Sequence, residues 1–169
     1  MTAFQIINAI AIIAIQVLIL DNVELHRLVK PLLYPLIILT LPLFIPRSLV
    51  LVIALVLGLI IDISNDSLGL HAAACVFLAY IRYIILMLLE PRNGYDQYVL
   101  PTYKNLGFSW FLKYASISIL LFNTFFFFVE AFSFRFLDTI LLKIILSTLT
   151  CLFLMILYQM LFTRLKSRY

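Results

Sequence analysis

Charge is what this chain has least of. Among its 169 residues, Asp, Glu, Lys and Arg together make up 12%, against about 25% in a soluble domain. Hydrophobic residues make up 65%, and mean hydropathy is +1.16. A water-soluble core in so short a chain cannot enclose that much apolar surface. Composition therefore excludes a soluble globular protein and predicts an all-α integral membrane protein. Cysteine is scarce too. Cys75 and Cys151 lie inside apolar runs with no CxxC spacing, which reads as packing and not as a disulfide or thiolate metal site. His26 and His71 complete no zinc ligand set. No phosphate loop follows a strand, and no Ser/His/Asp set is supported. The chain is thus expected to be no enzyme and to hold no cofactor or metal. Its small basic excess, 12 Lys+Arg against 8 Asp+Glu, follows membrane topology and not nucleic-acid binding.

What is present is a series of apolar runs. A spanning helix needs roughly 20 apolar residues, and six candidates fit: 3–20, 31–45, 48–63, 68–89, 109–129 and 138–162. They predict a single polytopic domain, a compact bundle of about six transmembrane helices. The first run lacks a basic segment before it and is expected to be retained, not cleaved. The second is short and carries Pro31, Pro35, Pro42 and Pro46. Pro42 should kink or break it, so the second and third runs have an alternative reading as a broken or re-entrant unit.

An even number of spans puts both termini on one side. Placing them in the cytoplasm gathers Arg47, Arg92, Lys104, Arg164, Lys166 and Arg168 there and leaves Arg27, Lys30 and Arg135 outside, as the positive-inside rule prefers. Arg82, Lys113 and Lys143 fall within spans and are expected to snorkel to the nearer interface. The tail cluster Arg164, Lys166 and Arg168 is expected to meet anionic lipid headgroups. Tyr95, Tyr98, Tyr103 and Trp110, in and beside the longest loop, suit an interfacial aromatic belt, or else a docking surface.

Helical spacing places the rare polar residues on shared faces: Gln5, Asn8, Ile12 and Gln16; Ala54, Gly58 and Asp62; Ala72, Cys75, Ala79 and Arg82; Lys113, Ser116, Leu120, Asn123, Phe127 and Glu130; Lys143, Ser147, Thr150, Cys151 and Tyr158. In lipid, helices associate through small residues and through polar side chains that find partners. The stripes therefore mark protein-facing sides. They serve either as glue within the bundle or as the lining of a cavity or a groove for another protein's helix. On the second reading, Gly58→Leu should weaken a partner's association and leave the bundle folded.

The densest polar cluster is the junction Gly58-Leu-Ile-Ile-Asp62-Ile-Ser-Asn-Asp66-Ser67-Leu68-Gly69-Leu70-His71. Asp62 shares a face with Gly58 and needs a partner if ionised in the bilayer; Lys143 and Arg135 are candidates at similar depth. Asp66 or Ser67 can cap the next helix, and Gly69 permits a tight turn. His71 reads as an interfacial hydrogen-bonding residue. The block is either a turn joining two packed helices or a contact for a partner or ligand.

The run Gly58-x3-Asp62-x5-Leu68-Gly69 resembles the signature of the MreD family of rod shape-determining membrane proteins. The proline-bearing second run followed by Pro46-Arg47 and the short basic tail are similar too. So are Leu68-Gly69-Leu70-His71-Ala72, Pro91-Arg92-Asn-Gly94-Tyr95 and Phe132-Ser133-Phe134-Arg135. The resemblance covers nearly the whole chain. It implies a non-catalytic scaffold in the bacterial cytoplasmic membrane, within the lateral cell-wall elongation complex that governs peptidoglycan synthesis and cell shape. The implied partners are MreC, a single-span protein, and, through the complex, MreB filaments and RodA with its class B penicillin-binding transpeptidase. That family is in turn distantly similar to the substrate-binding subunits of energy-coupling-factor transporters. This supplies the alternative, a membrane subunit that binds a micronutrient, with Phe125 to Phe128, Asn123, His71 and Asp62 around it.

Overall fold

A computed structural model describes residues 3–21, 29–91, 94–95, 99–131 and 137–162. His26, Arg27, Arg92, Tyr98 and the cluster Arg164, Lys166 and Arg168 lie outside the described residues, as does the whole Phe132–Arg135 run. The elements are all helical: α1 (Ala3–Ile15) running into a π-helical turn (Gln16–Leu20), α2 (Pro35–Leu39), α3 (Arg47–Ser64), α4 (Leu70–Leu88), α5 (Tyr103–Leu106), α6 (Phe108–Ala131) and α7 (Leu137–Phe162). Among the described residues four helices, α3, α4, α6 and α7, are long and apolar enough to cross a membrane, and Gln5–Leu20 is a shorter apolar helix.

Helices α3 and α4 pack most extensively, α4 packs on α6, and α6 packs on α7. Their outward faces carry exposed Val52, Leu59, Leu141, Leu149 and Phe153, among others. Such faces suit acyl chains, since lipid, unlike water, does not drive apolar side chains inward.

Residues 31–45 do not form a continuous span. They hold only the five-residue α2, flanked by non-helical chain, which is the broken form of this segment. Proline explains the break. Pro35 fits the first turn of α2, but Pro42 and Pro46 lack the N–H a continuing helix needs. Among the described residues the segment is nonetheless the longest uninterrupted buried stretch, 31–39: Leu32, Tyr34, Leu36, Ile38 and Leu39 are all buried. It runs the length of the bundle. Lys30 bonds Glu130 at the C-terminal end of α6, while Leu41 is bonded by Arg82 in the last two turns of α4. Non-helical backbone at this depth is tolerated only where protein supplies its hydrogen bonds, and that requirement organises the polar side chains around it.

Candidate functional site

Six side chains on four surrounding elements meet this buried segment. Gln16, in the π-helical turn, accepts from the Leu33 N–H at 2.7 Å and donates to the Pro31 carbonyl at 3.2 Å. On α7, Ser147 Oγ accepts from the Lys30 N–H at 3.0 Å. One turn on, Cys151 Sγ accepts from the Leu32 N–H at 3.2 Å and donates to the Lys30 carbonyl at 3.7 Å. Tyr114 on α6 donates to the Leu39 carbonyl at 3.2 Å, and Arg82 on α4 donates to the Leu41 carbonyl. The Tyr34 hydroxyl shares a 2.7 Å hydrogen bond with His71 Nδ1. A buried amide left without a partner costs about 1–3 kcal/mol, so all of these side chains except His71 replace what a regular helix would have supplied to its own backbone.

The second polar unit joins α3 to α4. Asp62 is buried. One carboxylate oxygen accepts from Ser67 Oγ at 2.6 Å and from the His71 N–H at 2.9 Å; the other accepts from the Ala72 N–H at 2.8 Å. Those two amides are among the four that a helix start leaves unpaired. Asp62 thus caps α4 from the preceding helix, and its negative charge sits at the positive end of the α4 dipole. Gly69 occupies the N-cap position without a side-chain cap, at φ 83°. This replaces two expectations. Asp66 and Ser67 do not cap α4, although Ser67 supports the carboxylate that does; Asp66 is exposed, at φ 49°. Among the described residues the partners of Asp62 are these donors and not Lys143, which is half-buried on α7; the other candidate, Arg135, lies outside the described residues.

Gly58 lies one turn before Asp62. A Cβ built there would sit 2.3 Å from Ala72 Cα and 2.8 Å from the His71 carbonyl oxygen. Backbone therefore touches backbone where the cap forms. Gly58 belongs to the inside of the fold, so the expectation that Gly58→Leu would spare it is overturned. The tip between the helices is tied to the first helix, since Asn65 Nδ2 donates to Asp21 Oδ2 at 3.1 Å and Gln16 Nε2 donates to Asp21 Oδ1 at 2.6 Å. Leu68 makes no use of this framework: its relative exposure is 106%, and neighbouring Ile63 is 79% exposed.

Other singled-out residues find varied places. His71 is buried against Phe126, ring centroids 4.9 Å apart, and not interfacial. Arg82 is buried as well and does not snorkel, because Leu41 offers it a carbonyl within the bundle. Asn123 donates to Thr148 Oγ1 at 3.0 Å, and Glu130 pairs with Lys30 at 2.9 Å on the surface. On α6 the expected face is partly wrong. Asn123 and Phe127 are buried as expected, but Lys113 and Leu120 are exposed, and the rest of the buried side is Phe111, Tyr114, Ser118, Phe122 and Phe126, because this helix packs rings around Tyr34, with Phe122 6.0 Å away. Tyr95 donates to the Leu86 carbonyl and Trp110 to the Leu89 carbonyl, each at 2.9 Å, closing the C-terminal end of α4. Burial pushes the Tyr95 phenol up to about 12. Tyr34 and Tyr114 were not signalled by periodicity; the clue available to sequence was the proline pair flanking Tyr34, which forecasts backbone in need of donors and acceptors.

Comparison of the chain with protein-family models, with curated proteins and with solved structures returns no match. Among the described residues, no three His, Cys, Asp or Glu side chains gather in a metal-holding group. Of the stripe residues, Gln16, Arg82, Ser147 and Cys151 bond the chain's own buried segment, Gly58 meets α4, and Asn123 meets Thr148 on α7.

Proposed function

We propose that this protein is a non-catalytic membrane scaffold of the MreD kind. It holds MreC, and through that complex links MreB filaments to RodA and its class B transpeptidase. In this reading the chain crosses the bacterial cytoplasmic membrane six times with both termini in the cytoplasm, residues 29–46 being the broken crossing. The turn at residues 63–69 then faces outward, where MreC continues beyond its single span.

The observation that carries the reading is the contrast within the Gly58–Gly69 motif. Gly58, Asp62 and Ser67 lock the turn through a backbone contact and a shared carboxylate, whereas Leu68 projects from it fully exposed. An apolar side chain on a rigid tip suits an anchor for a partner, because little ordering entropy is lost on contact. The micronutrient alternative draws no comparable support. His71, Asp62 and Asn123 are engaged with Tyr34, the α4 amides and Thr148, and Phe125 stacks on Phe77 at 4.4 Å.

Affinity purification from native membranes, with mass identification of each co-eluting chain, tests the proposal. Wild type should retain a single-span MreC-type partner. Leu68→Asp should lose it about tenfold or more, with unchanged yield and unchanged Trp110 emission. Equal retention by Leu68→Asp, or recovery of a small molecule with no MreC-type chain, would contradict it.

A further inference from the structure

An open apolar groove runs along the outer surface between α3 and α4, lined by Leu51, Leu55, Val76, Phe77 and Tyr80, with Ala72 and Ala73 at one end. Its volume is about 570 Å³. Its two ends differ. At the Ala72 end it stops where α4 touches Gly58 backbone to backbone, so nothing can slide further between the helices. At the other end, one turn beyond Leu51 and Tyr80, the Arg47 guanidinium lies 3.2 Å from the Tyr83 ring centroid. Arg47 is exposed, and its stacking on the ring face fixes the cation at the groove mouth while leaving its N–H groups to bond an anion.

We infer that this groove binds one anionic glycerophospholipid, its phosphate at Arg47 and one acyl chain along Leu51, Leu55, Val76 and Phe77. Length supports this occupant. From Tyr83 back to Ala72, α4 rises about 16 Å, and half of a hydrocarbon core about 30 Å thick is about 15 Å. A lipid with its headgroup at the Arg47 level therefore fills the groove to its closed end and no further. A spanning partner helix has no such reason to meet a cation only at one end. The lipid belongs to the leaflet on the Arg47 side, whichever face of the membrane that is, so the inference stands apart from the partner proposed for the turn at Leu68.

The test is native mass spectrometry of the full chain released from nanodiscs of equal parts phosphatidylglycerol and phosphatidylcholine. Wild type should retain one phosphatidylglycerol several-fold over phosphatidylcholine. Arg47→Gln, a surface change, should abolish that preference and Arg47→Lys should restore most of it. Leu55→Trp, which fills the groove, should lower retention of both lipids, with Trp110 packing checked by near-ultraviolet circular dichroism. A photo-crosslinker at Val76 in cell membranes should capture lipid. Equal phosphatidylglycerol preference in Arg47→Gln, or a crosslink from Val76 to a protein helix, would overturn the inference.

Discussion

One methyl group at Gly58 should undo the seam between α3 and α4. The Cβ of Gly58→Ala would sit 2.3 Å from Ala72 Cα and 2.7 Å from its amide nitrogen, and neither atom is the end of a flexible side chain. Ordinary carbon contacts lie at about 3.5–4.0 Å, so α4 must withdraw by about 1 Å at Ala72. The Asp62 bonds to the His71 and Ala72 amides, now 2.9 and 2.8 Å, would then stretch beyond hydrogen-bonding range. Overpacking costs about 1–3 kcal/mol, and a lost N-cap costs about 1 kcal/mol more. Gly58→Ala should therefore destabilise the bundle by about 2–4 kcal/mol. Because Gly58→Ala already breaks the Asp62 cap, the substitutions Gly58→Ala and Asp62→Ala should not add. Asp62→Ala should cost a similar amount in the wild-type background and clearly less in the Gly58→Ala background. Unfolding in detergent, followed by the emission of Trp110, measures both arms. A neutral Gly58→Ala, or strict additivity in the double variant, would refute the coupling of close approach to cap.

Two further outcomes follow from single contacts. Tyr34→Phe keeps the ring against Phe122 but removes the hydroxyl bonded to His71, and should cost about 1–2 kcal/mol, read in the same unfolding assay; an unchanged midpoint would remove Tyr34 from the polar framework. The raised Tyr95 phenol, at about 12, means that its bond to the Leu86 carbonyl contributes fully below about pH 10, the ordinary tyrosine value, and is lost as pH rises through 12. Emission of Trp110, 5.9 Å from Tyr95, should stay flat between pH 6 and pH 9 on a titration scale set by that pair, and an acidic or neutral transition at this site would contradict the assignment.

The polytopic helical class is legible in composition, and the inner faces of α1, α3, α4 and α7 are legible in helical spacing: Gln16, Ala54, Gly58, Cys75 and Ser147 all point inward. The prolines announce the break in the second run. What periodicity cannot convey is where a side chain's partner lies when that partner is backbone from a distant segment. Asp62 meets amides nine and ten residues on, and only the turn geometry brings them within reach. Arg82 is misjudged for the same reason, because a cation in a span snorkels unless a carbonyl is offered nearby, and Leu41 offers one. The face of α6 is hidden by its composition, since phenylalanines occur all around the helix and give spacing little to discriminate.

The central claim is that Gln16, Arg82, Tyr114, Ser147 and Cys151 hydrogen-bond the broken backbone of residues 30–41 in place of a helix ladder, and Gln16 tests it most directly. Amide hydrogen exchange at Leu33, read by nuclear magnetic resonance on selectively labelled leucine, reports the 2.7 Å bond to Gln16 Oε1. The account predicts a well-protected Leu33 amide in wild type and exchange roughly 10–100-fold faster in Gln16→Leu, the equivalent of about 1–3 kcal/mol for an amide left unpaired. Unchanged Leu33 exchange in a folded Gln16→Leu variant would contradict it.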